Sequence, residues 1–189
     1  MGNRQAVLSP EKLEQYQDCT YFSKTEIVRL YQRFRELGPD IVPSFMPNDC
    51  VESVLVPAQL VGMMSELKDN PFVEQIINVF SDNGTGYMNF ENFLDMFNVM
   101  NDQASVDLKT IYSFKIFDND KDKSLNSTDL KWALQKLTKN ELNRNEIELV
   151  VEKVIEESEM DDDWEISFME FEHVVARSPD FKNTFRLRI

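Results

Sequence analysis

Acidic side chains recur at alternate positions in one short segment of the chain. Asp118, Asp120 and Asp122 stand at positions 1, 3 and 5 of this segment, and Asp129 stands at position 12. Ser124, at position 7, would add a backbone carbonyl oxygen. Carboxylates held this close repel one another unless a cation or solvent screens them. Because Ca²⁺ and Mg²⁺ prefer oxygen ligands, the segment predicts a site for a divalent cation.

The spacing of these ligands is that of an EF-hand, whose loop joins two helices around an ion. Two positions depart from the strongest calcium sites. Lys123 stands at position 6, where glycine is usual, and Asp129 replaces glutamate at position 12. An aspartate reaches an ion with both oxygens less readily, which suits six-coordinate Mg²⁺ better than Ca²⁺. We therefore predict a weak Ca²⁺ site or a Mg²⁺-compatible one, with an acidic, solvated loop that only shapes the hand as the alternative.

A second acidic loop begins one repeat later, and its predicted ligands are Glu159, Asp161, Asp163, Glu165 and Glu170. The carboxylate count is right, and Glu170 can act as a bidentate ligand. Glu159, however, is one methylene longer than the usual aspartate. Trp164 takes the glycine position, where a left-handed backbone costs a non-glycine residue roughly 1–2 kcal/mol. Cation binding and a purely structural loop both remain open for this segment.

The loop at 81–92 keeps the pattern of a hand without its ligands. Its ligand positions are occupied by Ser81, Asn83, Thr85 and Asn92. None of these side chains is a carboxylate, although Gly86 keeps the residue that the turn requires. We expect this loop to bind no divalent ion usefully. The region before Val56 has no recognisable ligand set, so a first hand, if present, has lost its loop chemistry.

Helices must present these loops, and the spacing of apolar residues predicts such helices. Apolar side chains recur every three or four residues almost throughout, and the loops begin about 40 residues apart. This repeat predicts an all-α chain with two lobes of paired EF-hands. The predicted boundaries are an N-terminal helical extension at 1–45, a lobe of degenerate hands at 46–102, a metal-competent lobe at 103–178 and a tail at 179–189.

Composition limits the class of partner. The formal net charge is −14 at pH 7, and no basic stripe is available to neutralise phosphates, so we expect no binding to nucleic acid. The 14 Phe and 9 Met residues favour a basic amphipathic helix as the partner. The candidate groove for that helix is lined by Phe114, Leu134, Leu137, Val150, Val154 and Val175.

Neither catalysis nor a membrane span is expected. No nucleophile–base constellation and no phosphate-binding glycine loop is visible, and the single histidine, His173, is predicted to be exposed or half-buried. Cys19 and Cys50 are the two cysteines, which favours a reducing compartment. No run of about 18 apolar residues occurs. We expect a soluble, cytosolic protein that could still be tethered to a membrane.

Five short segments carry a family resemblance in addition to the loops. They are Met1-Gly2-Asn3, Tyr16-Gln17-Asp18-Cys19-Thr20, Asn70-Pro71-Phe72, Arg177-Ser178-Pro179-Asp180-Phe181 and Thr184-Phe185-Arg186-Leu187-Arg188-Ile189. With them the chain resembles, over essentially its whole length, the calcium- and integrin-binding (CIB) protein family of the EF-hand superfamily. The resemblance is nearest to the second and third members of that family.

The resemblance implies a fold and a role. The first two hands would be metal-free, and the last two would bind Ca²⁺ or Mg²⁺. A hydrophobic groove would take an amphipathic helix from the cytoplasmic part of a membrane protein, either an integrin α-subunit tail or a transmembrane channel-like protein of mechanosensory cells. The chain would then act at the inner face of the plasma membrane. A metal-independent structural subunit and a regulatory subunit of a phosphatase stay open as alternatives.

The two ends of the chain carry further expectations. The resemblance implies N-myristoylation of Gly2, although Ala6 stands where serine or threonine is preferred. An unmodified, flexible tail is the alternative. At the other end, the resemblance implies that the segment 181–189 is a displaceable lid over the groove. A permanently docked strap is the alternative there.

Overall fold

A computed structural model describes residues 7–47, 50–81, 85–161 and 163–186. Within these ranges the chain is mainly helical, with one pair of two-residue strands. The elements in chain order are α1 Pro10–Cys19, α2 Lys24–Leu37, β1 Val56–Pro57, α3 Ala58–Gly62, α4 Val73–Phe80, β2 Tyr87–Met88, α5 Phe90–Val99, α6 Val106–Phe117, α7 Ser127–Leu137, α8 Arg144–Ser158, α9 Phe168–Ala176 and α10 Phe181–Thr184.

The chain divides into two compact units. Unit 1 contains the described residues up to Lys68, together with Phe80–Ala104. Unit 2 contains Asp69–Val79 and Ser105–Arg186. Most of α4 therefore belongs to the same unit as the two acidic loops, although its residues precede the stretch that the sequence assigns to the second lobe.

The core of unit 1 is aromatic. The ring of Phe90 lies 5.2 Å from that of Tyr31 and 5.8 Å from that of Phe34, centroid to centroid. Apolar residues at helical spacing on α2 and α5 bury these rings, because each helix turns one face inward. A capping box between Ser23 and Glu26 begins α2, and the Glu26 carboxylate accepts the backbone N–H of Ser23 at 2.8 Å.

In unit 1, two loops pair with each other as the loops of two EF-hands do, although they lack carboxylates at the ligand positions. Val56 pairs with Met88 in the antiparallel contact between β1 and β2. Met88 is position 8 of the loop at 81–92, so Val56 takes the corresponding place in a degenerate first hand. The absence of carboxylates at the ligand positions therefore does not prevent the two loops from pairing.

Unit 2 contains two helix–loop–helix hands in sequence, α6 with α7 and α8 with α9. Their loops meet at Leu125 and Ile166, which exchange backbone hydrogen bonds of 2.9 and 3.0 Å. Both side chains are buried together with Phe114, and a second cluster of Ile147, Val151 and Ile155 lies along α8. The all-α fold of paired EF-hands is thereby confirmed.

The exit helix of each acidic loop begins inside the loop itself. Asn126 and Asp129 form the capping box of α7, and Ser167 and Glu170 form that of α9. Position 12 of the loop is therefore also the third residue of the helix. In each hand, the carboxylate at position 12 therefore serves both to close the loop and to begin the exit helix.

Candidate metal loops and apolar groove

Three carboxylates meet in the loop at 118–129. Asp118, Asp120 and Asp129 each offer one oxygen, and these oxygens lie within 4.8 Å of one another. Asp118 and Asp129 are buried, whereas Asp120 is exposed. Across the ranges that the structure describes, no other cluster of three potential metal-ligating side chains occurs. The cluster is made of residues that the sequence nominates as ligands.

Backbone amides hold the two buried carboxylates in place. The Asp118 carboxylate accepts the N–H groups of Asp122 and Lys123, each at 3.1 Å. Asp129 accepts the N–H groups of Asn119 at 3.0 Å and Asn126 at 3.2 Å. The loop backbone thus wraps around its own first and last ligand positions.

The environment of Asp129 disfavours its charged form. Burial raises the pKa of this carboxyl above its ordinary value, and the neighbouring carboxylates of Asp120 and Asp118 raise the pKa further. The hydrogen bonds from Asn119 and Asn126 oppose this shift only in part. Because the repulsion comes from nearby negative charge, a cation in the cluster would relieve it.

Asp122 lies outside this cluster. Its carboxylate accepts the Ser124 N–H at 2.9 Å, the Ser124 hydroxyl at 3.0 Å and the Asn126 side-chain amide at 3.2 Å. The hydrogen bond from the Ser124 N–H is the main cause of a lowered pKa at Asp122. These bonds use the N–H and the hydroxyl of Ser124, and not the backbone carbonyl oxygen that is its predicted ligand atom.

The loop at 159–170 holds its first and last carboxylates, Glu159 and Glu170, by internal hydrogen bonds. Glu170 is buried and accepts the Met160 N–H at 2.6 Å, the Ser167 N–H at 2.8 Å and the Ser167 hydroxyl at 2.7 Å. Burial opposes ionisation, but these hydrogen bonds hold the pKa of Glu170 below its ordinary value. Glu159 accepts the Trp164 N–H at 2.8 Å.

The remaining predicted ligands of this loop lie at its surface. Asp161, Asp163 and Glu165 are exposed, and Asp163 accepts the Glu165 N–H at 2.9 Å. Desolvation and the nearby carboxylates of Asp163 and Glu170 raise the pKa of Asp161. The three side chains do not join Glu159 and Glu170 in a cluster comparable to the one in the preceding hand.

Position 6 has a left-handed backbone in all three loops. The φ angles are 76° at Lys123, 64° at Trp164 and 75° at Gly86. The loop therefore imposes this conformation even where the residue carries a Cβ, at a cost of roughly 1–2 kcal/mol for each non-glycine residue. Lys123 and Trp164 keep the turn but weaken the loop relative to glycine.

The donor set of the loop at 118–129 fits a hard divalent cation. Asp118, Asp120 and Asp129 supply negatively charged oxygens at one point, as Ca²⁺ and Mg²⁺ require. Asn83, at a ligand position of the loop that we expect to bind no ion, lies outside the described residues, as does Gly2, the predicted lipidation site. In the same degenerate loop, the Asn92 amide oxygen accepts the Asn89 N–H at 3.1 Å as part of a helix cap.

An apolar cavity of about 220 Å³, here called the outer compartment, opens on unit 2. It lies among α7, α8 and α9, and every lining residue except Ser158 is apolar. Its lining is Phe117, Leu125, Leu130, Ala133, Leu134, Leu137, Val150, Val151, Val154, Ser158, Ile166, Phe171 and Val174. Leu137, Val150 and Val154 stay 58%, 38% and 38% exposed, so they present apolar surface to a partner.

A second cavity of about 460 Å³, here called the inner compartment, lies in the same unit. Its walls come from the start of α4, from α6, from α9 and from α10. Phe117, Leu137, Phe171 and Val174 line both compartments. The two cavities are therefore neighbours across one shared wall.

The structure brings most of the predicted groove residues together. Leu134, Leu137, Val150 and Val154 line the outer compartment, and Val175 lines the inner one. Phe114 lies instead in the buried cluster with Leu125 and Ile166. It lines neither compartment, because its ring packs against Phe168 and Phe171 at centroid distances of 5.4 and 5.5 Å.

Not all residues that line the outer compartment are predicted from the sequence. Phe171 and Val174 of α9 face the cavity, as do Leu130 and Ala133 of α7. Leu130 and Ala133 precede Leu134 and Leu137 by one helical turn, so helical spacing from the predicted residues would have found them. Phe181, Thr184 and Phe185 of α10 line the inner compartment, and they belong to the segment 181–189 that the family resemblance associates with the groove.

No protein-family model matches the chain. Curated relatives nevertheless match it over 189 residues, which is 100% of this chain and of each relative. The chain is 45% identical to calcium and integrin-binding family member 2 of Drosophila melanogaster. It is 46% identical to calcium and integrin-binding family member 3 of Homo sapiens and 43% identical to member 2 of Homo sapiens. These relatives are named for what they bind and not for a reaction.

Among the described residues, none of the helices has the length and apolarity that a membrane span requires.

Proposed function

The chain belongs to the calcium- and integrin-binding protein family, and on that premise we propose that it is a non-catalytic adaptor for an amphipathic helix of a membrane protein. The observation that carries the proposal is the outer compartment, whose lining is apolar apart from Ser158 and whose rim stays exposed. An apolar helix face that fills such a groove gains free energy from the surface it removes from water.

The partner is the cytoplasmic part of a membrane protein, either an integrin tail or a mechanosensory transmembrane channel-like protein. The names of the relatives support the first of these. The net charge of −14 supports a helix with a basic polar face, because opposite charges speed association and suppress wrong partners. On this proposal the chain acts at the inner face of the plasma membrane, with Gly2 acylated as an auxiliary anchor.

The ion that we propose for the loop at 118–129 is Ca²⁺ or Mg²⁺. Asp118, Asp120 and Asp129 would hold it, and a bound cation would offset their mutual repulsion. The Asp122 carboxylate and the backbone carbonyl of Ser124 would complete the set. For the loop at 159–170 we propose weaker binding, because Glu170 already accepts three hydrogen bonds within the protein.

Titration of labelled helix peptides against the full chain tests the adaptor function. The peptides are an integrin α-subunit tail and a cytoplasmic helix of a transmembrane channel-like protein, each followed by fluorescence anisotropy. Val154→Asp places a charge in the outer compartment and is expected to weaken binding about tenfold or more. Leu149→Asp is the matched control, because Leu149 lies on the same helix, is 58% exposed and does not line the compartment. Equal losses in both variants, or no binding of either peptide, would contradict the proposal.

The same titration separates a metal-responsive adaptor from a metal-independent subunit. It is run in chelator, in millimolar Mg²⁺ and in millimolar Ca²⁺, with Asp118→Ala as the variant. We expect the cation to strengthen peptide binding to the wild type and to leave Asp118→Ala unchanged. An isotherm that metal does not affect would favour the constitutive structural subunit, for which the internally bonded Glu170 is the supporting observation.

A further inference from the structure

The segment that begins α4 packs against both helices of the hand formed by α6 and α7. The Phe72 ring, just before α4, contacts Phe117 at the end of α6 and Trp132 of α7. The Glu74 carboxylate pairs with Nζ of Lys136 on α7 at 3.1 Å. All of these residues belong to unit 2. Helix α4 therefore supports a hand of which it is not a part in sequence.

One side chain of α4 also reaches the loop between these two helices. Gln75 is 6% exposed, and its Nε2 donates a hydrogen bond to the side-chain oxygen of Asn119 at 2.6 Å. The Gln75 Oε1 accepts the side-chain amide of Asn78, one turn further along α4, at 3.1 Å. Because both polar ends of Gln75 are bonded, its amide has a fixed orientation. Gln75 thus connects α4 to the second position of the loop.

Asn119 extends this connection to a predicted ligand. Its backbone N–H donates to Oδ1 of Asp129 at 3.0 Å, while Oδ2 accepts the Asn126 N–H at 3.2 Å. Asp129 is 1% exposed and offers one oxygen to the carboxylate cluster. An N–H on each oxygen restricts the rotation of this carboxylate. Asn119 itself is exposed, and exposed side chains without a partner change rotamer within nanoseconds. The bond from Gln75 therefore steadies the residue that holds Oδ1.

The rotation of Asp129 matters because the two candidate cations differ in the carboxylates that they prefer. Mg²⁺ requires near-ideal octahedral geometry. Ca²⁺ accepts a larger and more flexible set of oxygens, in which one carboxylate can contribute both of its oxygens. A carboxylate fixed with one oxygen toward the cluster suits Mg²⁺, whereas a carboxylate that is free to rotate favours Ca²⁺ relative to Mg²⁺.

We propose that Gln75 is a positioning residue that, through Asn119, holds Asp129 in the orientation that favours Mg²⁺ over Ca²⁺. Gln75 acts without touching the ion. The assignment rests on the proposed function, because it takes the loop at 118–129 to be a cation site. It adds a determinant of ion selectivity that lies outside the hand, on a helix that the chain forms before it reaches the loop.

Isothermal titration calorimetry of the full chain, with Mg²⁺ alone and with Ca²⁺ alone, tests the selectivity. Gln75→Met keeps the length of the side chain and removes both polar groups. We expect the affinity for Mg²⁺ to fall about fivefold and the affinity for Ca²⁺ to change by less than about twofold. Glu74→Gln is the matched control, because Glu74 is the neighbour of Gln75 and pairs with α7 rather than with the loop. It should leave the ratio of the two affinities unchanged. Equal losses of both affinities in Gln75→Met would overturn the proposal.

A double-mutant cycle tests whether Gln75 acts through Asn119. Asn119→Ala removes the side-chain acceptor and keeps the backbone N–H that donates to Asp129. It should lower the affinity for Mg²⁺ relative to Ca²⁺ about as much as Gln75→Met does. The double variant should lower this ratio no further, because the two residues form one path. Additive losses would show that Gln75 does not act through Asn119.

Amide exchange of the metal-free chain, measured by NMR in chelator, separates this inference from the proposed function. The Asn119 N–H should exchange about fivefold faster in Gln75→Met than in the wild type, because its bond to Asp129 is loosened. Unchanged exchange would show that Gln75 does not position the loop. If the wild type binds neither cation, the cation site and its selectivity fail together, and this exchange still decides the positioning. Should Gln75→Met fail to fold, an unchanged ratio of affinities in Asn119→Ala would overturn the proposal.

Discussion

At the scale of single residues, Lys123 shows how a loop keeps its shape while its affinity for a cation is lowered. Its φ of 76° nearly equals the 75° of Gly86 at the same position of another loop. The ligand pattern of the loop could be read from the sequence, because it depends on residues within twelve positions. The left-handed turn is also expected, because Lys123 and Trp164 stand where the pattern requires glycine. The hydrogen bonds by which backbone amides hold Asp118 and Asp129 could not be read, since they depend on the folded path of the loop.

Lys123→Gly is expected to raise the affinity of the loop at 118–129 for Mg²⁺ or Ca²⁺ by up to about tenfold, because it relieves roughly 1–2 kcal/mol of backbone strain and removes a positive charge. Isothermal titration calorimetry on the full chain measures the change. Lys123→Gln is the control, because it removes the charge and keeps the Cβ. Equal gains in the two variants would show that charge, and not strain, limits the affinity.

Two neighbouring aspartates should respond in opposite ways to neutralisation in the absence of metal. Asp120 belongs to the repelling cluster, so Asp120→Asn should raise the free energy of unfolding by about 0.5 kcal/mol. The charged form of Asp122 is stabilised by the Ser124 N–H and hydroxyl. Asp122→Asn should therefore lower the free energy of unfolding. Urea denaturation in chelator measures both. A stabilised Asp122→Asn would contradict the assignment of the two environments.

At the scale of elements, α4 shows what periodicity can and cannot predict. Its apolar spacing indicates a helix, and its place in the chain assigns that helix to the first lobe. The packing instead places Phe72 against the rings of Phe117 and Trp132, at centroid distances of 5.2 and 5.6 Å. Gln75 donates from its side-chain amide to Asn119 at 2.6 Å. These partners lie more than 40 positions away, so no local pattern could reveal the unit to which α4 belongs.

The ion pair between Arg33 of α2 and Glu66 should make unit 1 sensitive to acid. Burial opposes ionisation of Glu66, but the hydrogen bonds from Arg33 and Ser65 hold its pKa below the ordinary value. A depressed pKa contributes stability that is present above the unfolded value of about 4.3 and is lost as pH falls through the folded value. Glu66→Gln should therefore lower the free energy of unfolding by about 1 kcal/mol at pH 7 and by less at pH 3.

Chemical denaturation at the two pH values, followed through hydrogen exchange of unit 1, measures this dependence. Glu14→Gln is the control, because Glu14 pairs with Lys24 at 3.0 Å while both side chains stay largely exposed. Such an exposed pair is expected to contribute almost nothing to the free energy of unfolding at either pH. An equal loss at pH 3 and pH 7 for Glu66→Gln would show that packing, and not charge, links these elements.

At the scale of the whole molecule, the two units should respond differently to metal. Unit 2 contains the carboxylate cluster, whereas the described ligand positions of the loop at 81–92 in unit 1 carry no carboxylate. A ligand that binds only the folded state stabilises it by about 2.7 kcal/mol at a hundred times its dissociation constant. Millimolar Mg²⁺ or Ca²⁺ should therefore slow hydrogen exchange in unit 2 and leave unit 1 nearly unchanged.

Asp118→Ala provides the control for that experiment, since it removes position 1 of the loop and should abolish the protection. Protection that persists in this variant would place the ion elsewhere. Equal protection of both units in the wild type would contradict the view that unit 1 keeps the shape of paired hands without their chemistry.

The two tryptophans of the chain lie one in each hand of unit 2. Trp132 is half-buried against Phe72, and Trp164 stands in the second loop with 56% of its surface exposed. An indole in water emits at longer wavelength than one among aromatic rings, and a neutral quencher reaches it more easily. The chain therefore carries two intrinsic fluorophores that differ in emission wavelength. With single-tryptophan variants, light emission can follow the occupancy of each hand separately, without any added label.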